Sequence, residues 1–148
     1  MSKRAFLALL AGGTFAAGLY TFGDSAKSDP IAPEIALARI LDKSLILLDI
    51  RRPDEWALTG VAVGAVPLDM RDDGFLADLD RLTGGNRAAP IALICARGVR
   101  SRRLAAKLTA AGFTAVLDVS EGMLGSPAGP GWIARGLPVS KGLNGVTE

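Results

Sequence analysis

Residues 95–101, Cys95-Ala96-Arg97-Gly98-Val99-Arg100-Ser101, are the stretch of this 148-residue chain whose residue types and spacing could do chemistry. Cys95 is the only cysteine, and it ends an apolar run, residues 90–94. Residues 102–111 follow with helical spacing and stop at Gly112. A buried strand is therefore expected to deliver a thiol to a tight turn at the mouth of a helix. Amide groups at a helix start lack intrahelical partners and carry partial positive charge. A sulfur at that point is stabilised as thiolate, and an anion beside it is welcome. Between Arg81 and Leu117 there are seven basic residues and no acidic one, so the thiol faces a one-signed field. The competing reading is a small buried hydrophobe, which is how most free cysteines behave. The glycine and two arginines that follow within the same turn weigh against it.

Helix phase assigns the arginines. At about 100° per residue, Arg100, Leu104, Leu108 and Ala111 share one side, and Arg102, Arg103 and Ala106 the other. Arg100 is thus expected at the head of the inward row, folded back under the turn, with Arg102 and Arg103 in solvent.

Composition removes several alternatives. Seventeen Lys and Arg against 15 Asp and Glu give a net charge of +2, too balanced to suggest nucleic-acid binding by charge alone. With one cysteine and no histidine, a zinc site of the usual type is excluded, as is a Cys-His or Ser-His mechanism. No intramolecular disulfide can form, and no metal or cofactor is expected. Any cysteine chemistry must rest on dipoles and guanidinium groups.

The motif resembles the active-site signature of single-domain rhodaneses, Cys-x-x-Gly-x-Arg-Ser. That resemblance implies a cysteine that takes a sulfane sulfur from a donor such as thiosulfate or a polysulfide, holds it as a persulfide, and passes it to cyanide or a thiol. It assigns Cys95 as nucleophile and the loop Ala96, Arg97, Gly98, Val99, Arg100 and Ser101 as the cradle for the donor and the persulfide. Cysteine phosphatases use Cys-x5-Arg, and position 101 here is Ser, so the loop suits a terminal sulfur better than a phosphate. Asp49, Arg51 and Glu55, in the run Asp49-Ile50-Arg51-Arg52-Pro53-Asp54-Glu55-Trp56, resemble a second family pattern at the active-site end of the sheet. Support is the role expected of them: Asp49 bonding loop amides, and Arg51 pairing with Glu55. Val61 stands where the family's Gly-His-Ile-x-Gly-Ala stretch has histidine. Ser120-Glu121-Gly122-Met123-Leu124 resembles the family's final glycine turn, and Gly136-Leu137-Pro138-Val139 its ending. Between them, residues 125–131 form an apparent Gly- and Pro-rich insertion, either a lip over the site or a loop without a role. Trp132 is expected as a core anchor.

The elements that must position these residues follow from pattern. Residues 33–41 and 74–82 have helical spacing, the first with an early proline and the second ended by Thr83-Gly84-Gly85-Asn86. Residues 45–48 and 113–119 read as strands. Alternation at short intervals implies an α/β fold with a parallel sheet covered on both sides. The resemblance makes it a rhodanese-like three-layer α/β/α domain. Asp49, Cys95 and Ser120 then converge at the carboxyl ends of strands, where such sheets bind ligands.

The N-terminal part reads as an export segment. Lys3 and Arg4 precede an uncharged apolar run, residues 5–22, that ends at Asp24. The organisation expected is a signal peptide or membrane anchor at 1–23, a linker at 24–30, the domain at 31–141 and a tail at 142–148. Residues 2–7 also resemble a twin-arginine signal with lysine for the first arginine, although an ordinary basic start accounts for them. The expected location is outside the cytoplasm, in a bacterial periplasm, with membrane contact only through residues 5–22 if they stay attached. Expected partners are a small anionic sulfur donor and a thiol or cyanide acceptor, with a sulfur-accepting protein as a further possibility. Rival readings are a persulfide relay module without turnover and a phosphatase or arsenate-type reductase on the same scaffold.

Overall fold

The computed structural model describes residues 28–141; the expected export segment, most of the linker and the tail lie outside the described residues. In chain order the elements are β1 (Asp29–Pro30), α1 (Pro33–Leu41), β2 (Ile46–Asp49), α2 (Pro53–Thr59), β3 (Val61–Ala62), β4 (Val66–Pro67), α3 (Phe75–Thr83), β5 (Ile91–Ile94), α4 (Val99–Ala110), β6 (Val116–Asp118) and β7 (Val139–Ser140). Five strands form one sheet in the order β1-β6-β5-β2-β4, and every pairing in it is parallel. Among the described residues no helix is long and apolar enough to cross a membrane.

The apolar runs of β2 and β5 occupy the middle of the sheet because each can bury both faces. Successive side chains point to opposite sides. Leu48 and Leu93 join Phe75, Leu79, Leu104 and Leu108 in a core that packs α3 and α4 on one face. Leu47 and Ala92 join Ala36, Met123 and Trp132 in a second core that packs α1 on the other. This is the expected three-layer arrangement with a central parallel sheet.

Four features were not expected from pattern. Asp29 and Pro30, assigned to the linker, pair with Leu117 and Asp118 as an edge strand. Residues 53–59 form α2, with Pro53 in its first turn and the Glu55 carboxylate accepting the Arg52 amide at 3.1 Å. α4 begins at Val99, earlier than the helical spacing alone suggested. β7 returns to pair antiparallel with β3, Val61 against Ser140 and Ala62 against Val139.

The insertion at 125–131 is bound into the fold. Ser126 and Gly129 bridge to each other, and the Gly131 amide donates to Glu121 at 3.0 Å. Arg135 grips the Glu121 carboxylate with bonds of 2.7 and 2.6 Å and reaches Glu34 of α1 at 2.6 Å. That guanidinium holds the Glu121 carboxyl below the usual carboxylate range. Trp132 is fully buried, and its indole donates to Pro138 O at 2.9 Å, as a core anchor should. Trp132→Ala should lower the unfolding free energy by about 3–5 kcal/mol. Trp132→Phe, which keeps most of the volume and loses the indole bond, should cost roughly half that or less. Urea denaturation at equilibrium measures both, and equal losses would contradict the packing role.

Candidate active site

β5 carries the chain up the middle of the sheet and releases it at Cys95. Gly98, at φ +78°, then turns it into α4 and donates its amide to Cys95 Sγ at 3.1 Å. A side chain at position 98 would meet the Ser120 carbonyl oxygen, so the turn needs glycine twice over. Gly122, at φ +68°, lies behind the same loop, and a Cβ there would stand 2.5 Å from Ala96 O. The glycine turn after β6 thereby straps the back of the cysteine loop, with Met123 N donating to Cys95 O at 2.8 Å and Leu124 N to Ala96 O at 2.9 Å.

The strap consumes carbonyls and leaves amides. Arg102 N is the first amide of α4 with a backbone acceptor, Gly98 O at 3.2 Å. The amides of Ala96, Arg97, Val99, Arg100 and Ser101 have none among the described residues. Cys95 itself is 1% exposed and shares a core with Leu48, Ile50 and Leu93. Burial alone is what an inert cysteine would show. One side of this sulfur is polar, however: besides Gly98 N it has Ser101 Oγ at 3.4 Å.

The charged residues are arranged differently from the expected roles. Arg51 was expected to pair with Glu55. Instead it is buried beside Asp49, with guanidinium bonds of 2.9 and 2.7 Å to that carboxylate, and it also donates to Thr59 Oγ1 and Gly60 O at 2.8 Å each. Glu55 is left to Arg100, which grips it with two bonds of 2.8 and 2.6 Å. Asp49 does bond a loop amide, that of Arg51, at 3.2 Å. Arg100 does not head the inward row of α4. Ser101, Leu104, Ala105 and Leu108 are its buried residues, and Arg100 is drawn sideways to α2 by the Glu55 carboxylate. Arg102 and Arg103 are exposed, as expected. Arg97 is exposed and makes one long contact, 3.4 Å to Gly125 O. It is the loop cation left available to an anion. Asp118, at the end of β6 and 2% exposed, was not singled out by sequence and lies on the sheet face beneath α4.

With this geometry in view, the chain can be compared with known proteins. Residues 32–125 match the model of the rhodanese-like domain. The chain belongs to the rhodanese-like family. No curated protein matches it. Among solved structures it is similar to a polysulfide-sulfur transferase homodimer from Wolinella succinogenes, at 20% identity over 84% of this chain and 86% of that one, with a TM-score of 0.61. It is similar to a thiosulfate sulfurtransferase from Pseudomonas aeruginosa, at 22% identity over 78% of this chain and 20% of that longer one, with a TM-score of 0.62. A protein of unknown function from Rhodopseudomonas palustris, described as a possible tyrosine phosphatase, aligns at 19% identity over 76% and 85%, with a TM-score of 0.60. These likenesses show the rhodanese fold; the loop has to decide the chemistry.

Arg100, bonded to both oxygens of Glu55, holds that carboxyl below the usual range against the opposing effect of its burial. A carboxyl lowered on folding contributes stability above its unfolded pKa and loses it as pH falls through the folded one. Glu55→Gln should therefore cost about 1–2 kcal/mol at neutral pH. The gap from the parent should close as the pH is taken below the usual carboxylate range. Urea midpoints of the two proteins across that range are the measurement, and a gap that does not depend on pH would contradict the assignment.

Proposed function

We propose that this protein is a sulfurtransferase that moves a sulfane sulfur from thiosulfate or a polysulfide-type donor, through a persulfide on Cys95, to a thiol or cyanide. The observation that carries this is the Gly98 amide on Sγ at 3.1 Å, within a loop whose other amides have no acceptor among the described residues. Amides free to donate in this turn favour a charged sulfur and then the charged outer sulfur of a persulfide. They need no neighbouring base, in a chain that has no histidine.

The Cys95 thiolate attacks the outer sulfur of the donor. A new S–S bond forms, the donor's own S–S bond breaks, and sulfite departs with the electron pair when the donor is thiosulfate. Sulfite is a weak base and needs no general acid. Arg97 meets the anionic end of the donor, and the amides of residues 96–101 cradle the terminal sulfur of the persulfide. The acceptor then takes that sulfur and restores the thiolate. Arg100, fully engaged by Glu55, fixes the first turn of α4 and lends a positive field. Two proteins of similar structure, a polysulfide-sulfur transferase and a thiosulfate sulfurtransferase, support the reading. We place the enzyme outside the cytoplasm, exported by the segment at residues 5–22, on the apolar character of that run alone.

Intact mass spectrometry after thiosulfate treatment should show the gain of one sulfur atom on the parent protein and none on Cys95→Ser. Thiocyanate formation from thiosulfate and cyanide should disappear in Cys95→Ala, and a rate equal to the parent's would sink the assignment. A persulfide without cyanide-dependent turnover would instead identify a relay module. Arg97→Ala should raise the KM for thiosulfate about tenfold with little change in kcat; steady-state kinetics with an unchanged KM would remove Arg97 from the site.

A further inference from the structure

The two arginines of the reactive turn are held in different ways. Arg100 meets a carboxylate, Glu55, through two bonds of 2.8 and 2.6 Å, and that ion pair offsets its charge. Arg97 meets a backbone carbonyl, Gly125 O, at 3.4 Å, 28 positions along the chain and within the Gly- and Pro-rich insertion. A carbonyl is a dipole with no net charge, so it can orient a guanidinium and leave the positive charge whole. No carboxylate pairs with Arg97 among the described residues.

The position of that carbonyl is fixed from both sides. Upstream, Leu124 N donates to Ala96 O at 2.9 Å, so residue 125 starts where the strap behind the cysteine loop ends. Downstream, Ser126 and Gly129 exchange amide bonds of 2.9 and 3.1 Å, which closes residues 126–129 into a tight turn. The Ser126 hydroxyl donates to Ser120 O at 2.8 Å and accepts the Ala128 amide at 3.0 Å. Gly131 N is bonded to Glu121, and a Cβ on Gly131 would stand 2.2 Å from Gly125 N. Gly125 itself is buried at φ +90°, and a Cβ there would stand 2.6 Å from Pro130 O. The insertion is thus a pinned shelf, with one carbonyl turned to the exposed side chain of Arg97.

We propose that residues 125–131 are the specificity element of this site, holding Arg97 through the Gly125 carbonyl so that Cys95 meets anionic sulfur donors in preference to neutral ones. The inference rests on the reading of Cys95 as the sulfur nucleophile. A long side chain free in solvent must give up rotamer freedom when it binds an anion. A loop that has already ordered it removes part of that cost. The preference is one of charge, because what the carbonyl aims is a cation, and a neutral donor gains nothing from it. Gly125 and Ser126 act on the donor only through Arg97, so they are positioning residues.

The test is the ratio of Cys95 alkylation rates with iodoacetate, an anion, and iodoacetamide, its neutral counterpart, in the full chain at one pH and ionic strength. Both reagents attack the same thiolate, so the ratio cancels any change in its pKa and reads the charge met on approach. It should fall about threefold to tenfold in Arg97→Ala, and by a smaller factor in Ser126→Ala and Gly125→Ala. Ser126→Thr, which keeps the hydroxyl, should hold the parent's ratio. In the Arg97→Ala background neither loop substitution should lower the ratio further. In turnover, Ser126→Ala should raise the KM for thiosulfate and keep kcat. A ratio unchanged by both loop substitutions overturns the proposal, as does an equal fall with and without Arg97, or a kcat lowered at an unchanged KM. If Gly125→Ala loses its near-ultraviolet circular dichroism and so its packing, the alanine and threonine variants of Ser126 decide alone. Alkylation needs no sulfur donor. The expected ratios in a protein that forms no persulfide would count against the proposed function and leave the loop's role standing.

Discussion

Hydrogen-bond bookkeeping in the turn between β5 and α4 governs this molecule. A backbone loop above a buried strand must place every donor and acceptor somewhere. Here the carbonyls of Cys95 and Ala96 go to Met123 and Leu124, and that of Gly98 to Arg102, while the Gly98 amide goes to the sulfur and the other amides of the turn have no acceptor among the described residues. This one-sided division needs a second loop packed against the first at backbone distance. That explains why glycines stand at 98 and 122, where side chains would strike the opposing backbone. The parallel sheet supplies both loops at one edge, because β5 and β6 are neighbours that end side by side.

Charge is settled by the same convergence. The basic run from Arg81 to Leu117, read alone, puts the thiol in a field of one sign. Folding brings carboxylates into it from outside the run. Glu55 takes Arg100, Asp118 comes up on the sheet face beneath α4, and Asp49 takes Arg51 nearby. The field that remains is narrower: the amides of the turn into α4 that have no acceptor among the described residues, with Arg97 at the surface. A narrow field suits a sulfur atom, which needs its charge stabilised on one side and apolar contact on the other.

Much of this was legible in the chain. The runs at 45–48 and 91–94 are apolar without interruption because they lie in central strands, and nothing else in a small α/β domain needs that pattern. Cys95, the Gly98 turn and the presence of a helix after it could be read from their order. The shortest strands could not, because β1, β3, β4 and β7 have two residues each and no periodicity can show in two positions. α2 carried its signals, Pro53 and Glu55, within a motif that was read for chemistry alone. Partner choice was hidden for a different reason. Glu55 has Arg51 four positions away and Arg100 forty-five positions away, and spacing favours the nearer one until the sheet brings the farther one closer. Asp118 was hidden because it lay inside the run read as a strand, where alternation alone does not show that α4 would bury its face.

The family match ends at residue 125, but the closed fold does not. Beyond it lie the indole that fills the second core, the arginine that fastens Glu121 to the first helix, and β7, which pairs with β3. Arg135 and Glu34 are 101 positions apart, so the clasp joins opposite ends of the described domain. A ribosome has therefore released nearly all of the domain before its first helix can meet its last fastening. The glycine turn that braces the cysteine loop leans on that same fastening through Glu121. The brace behind the reactive loop therefore needs residues from both ends of the described domain.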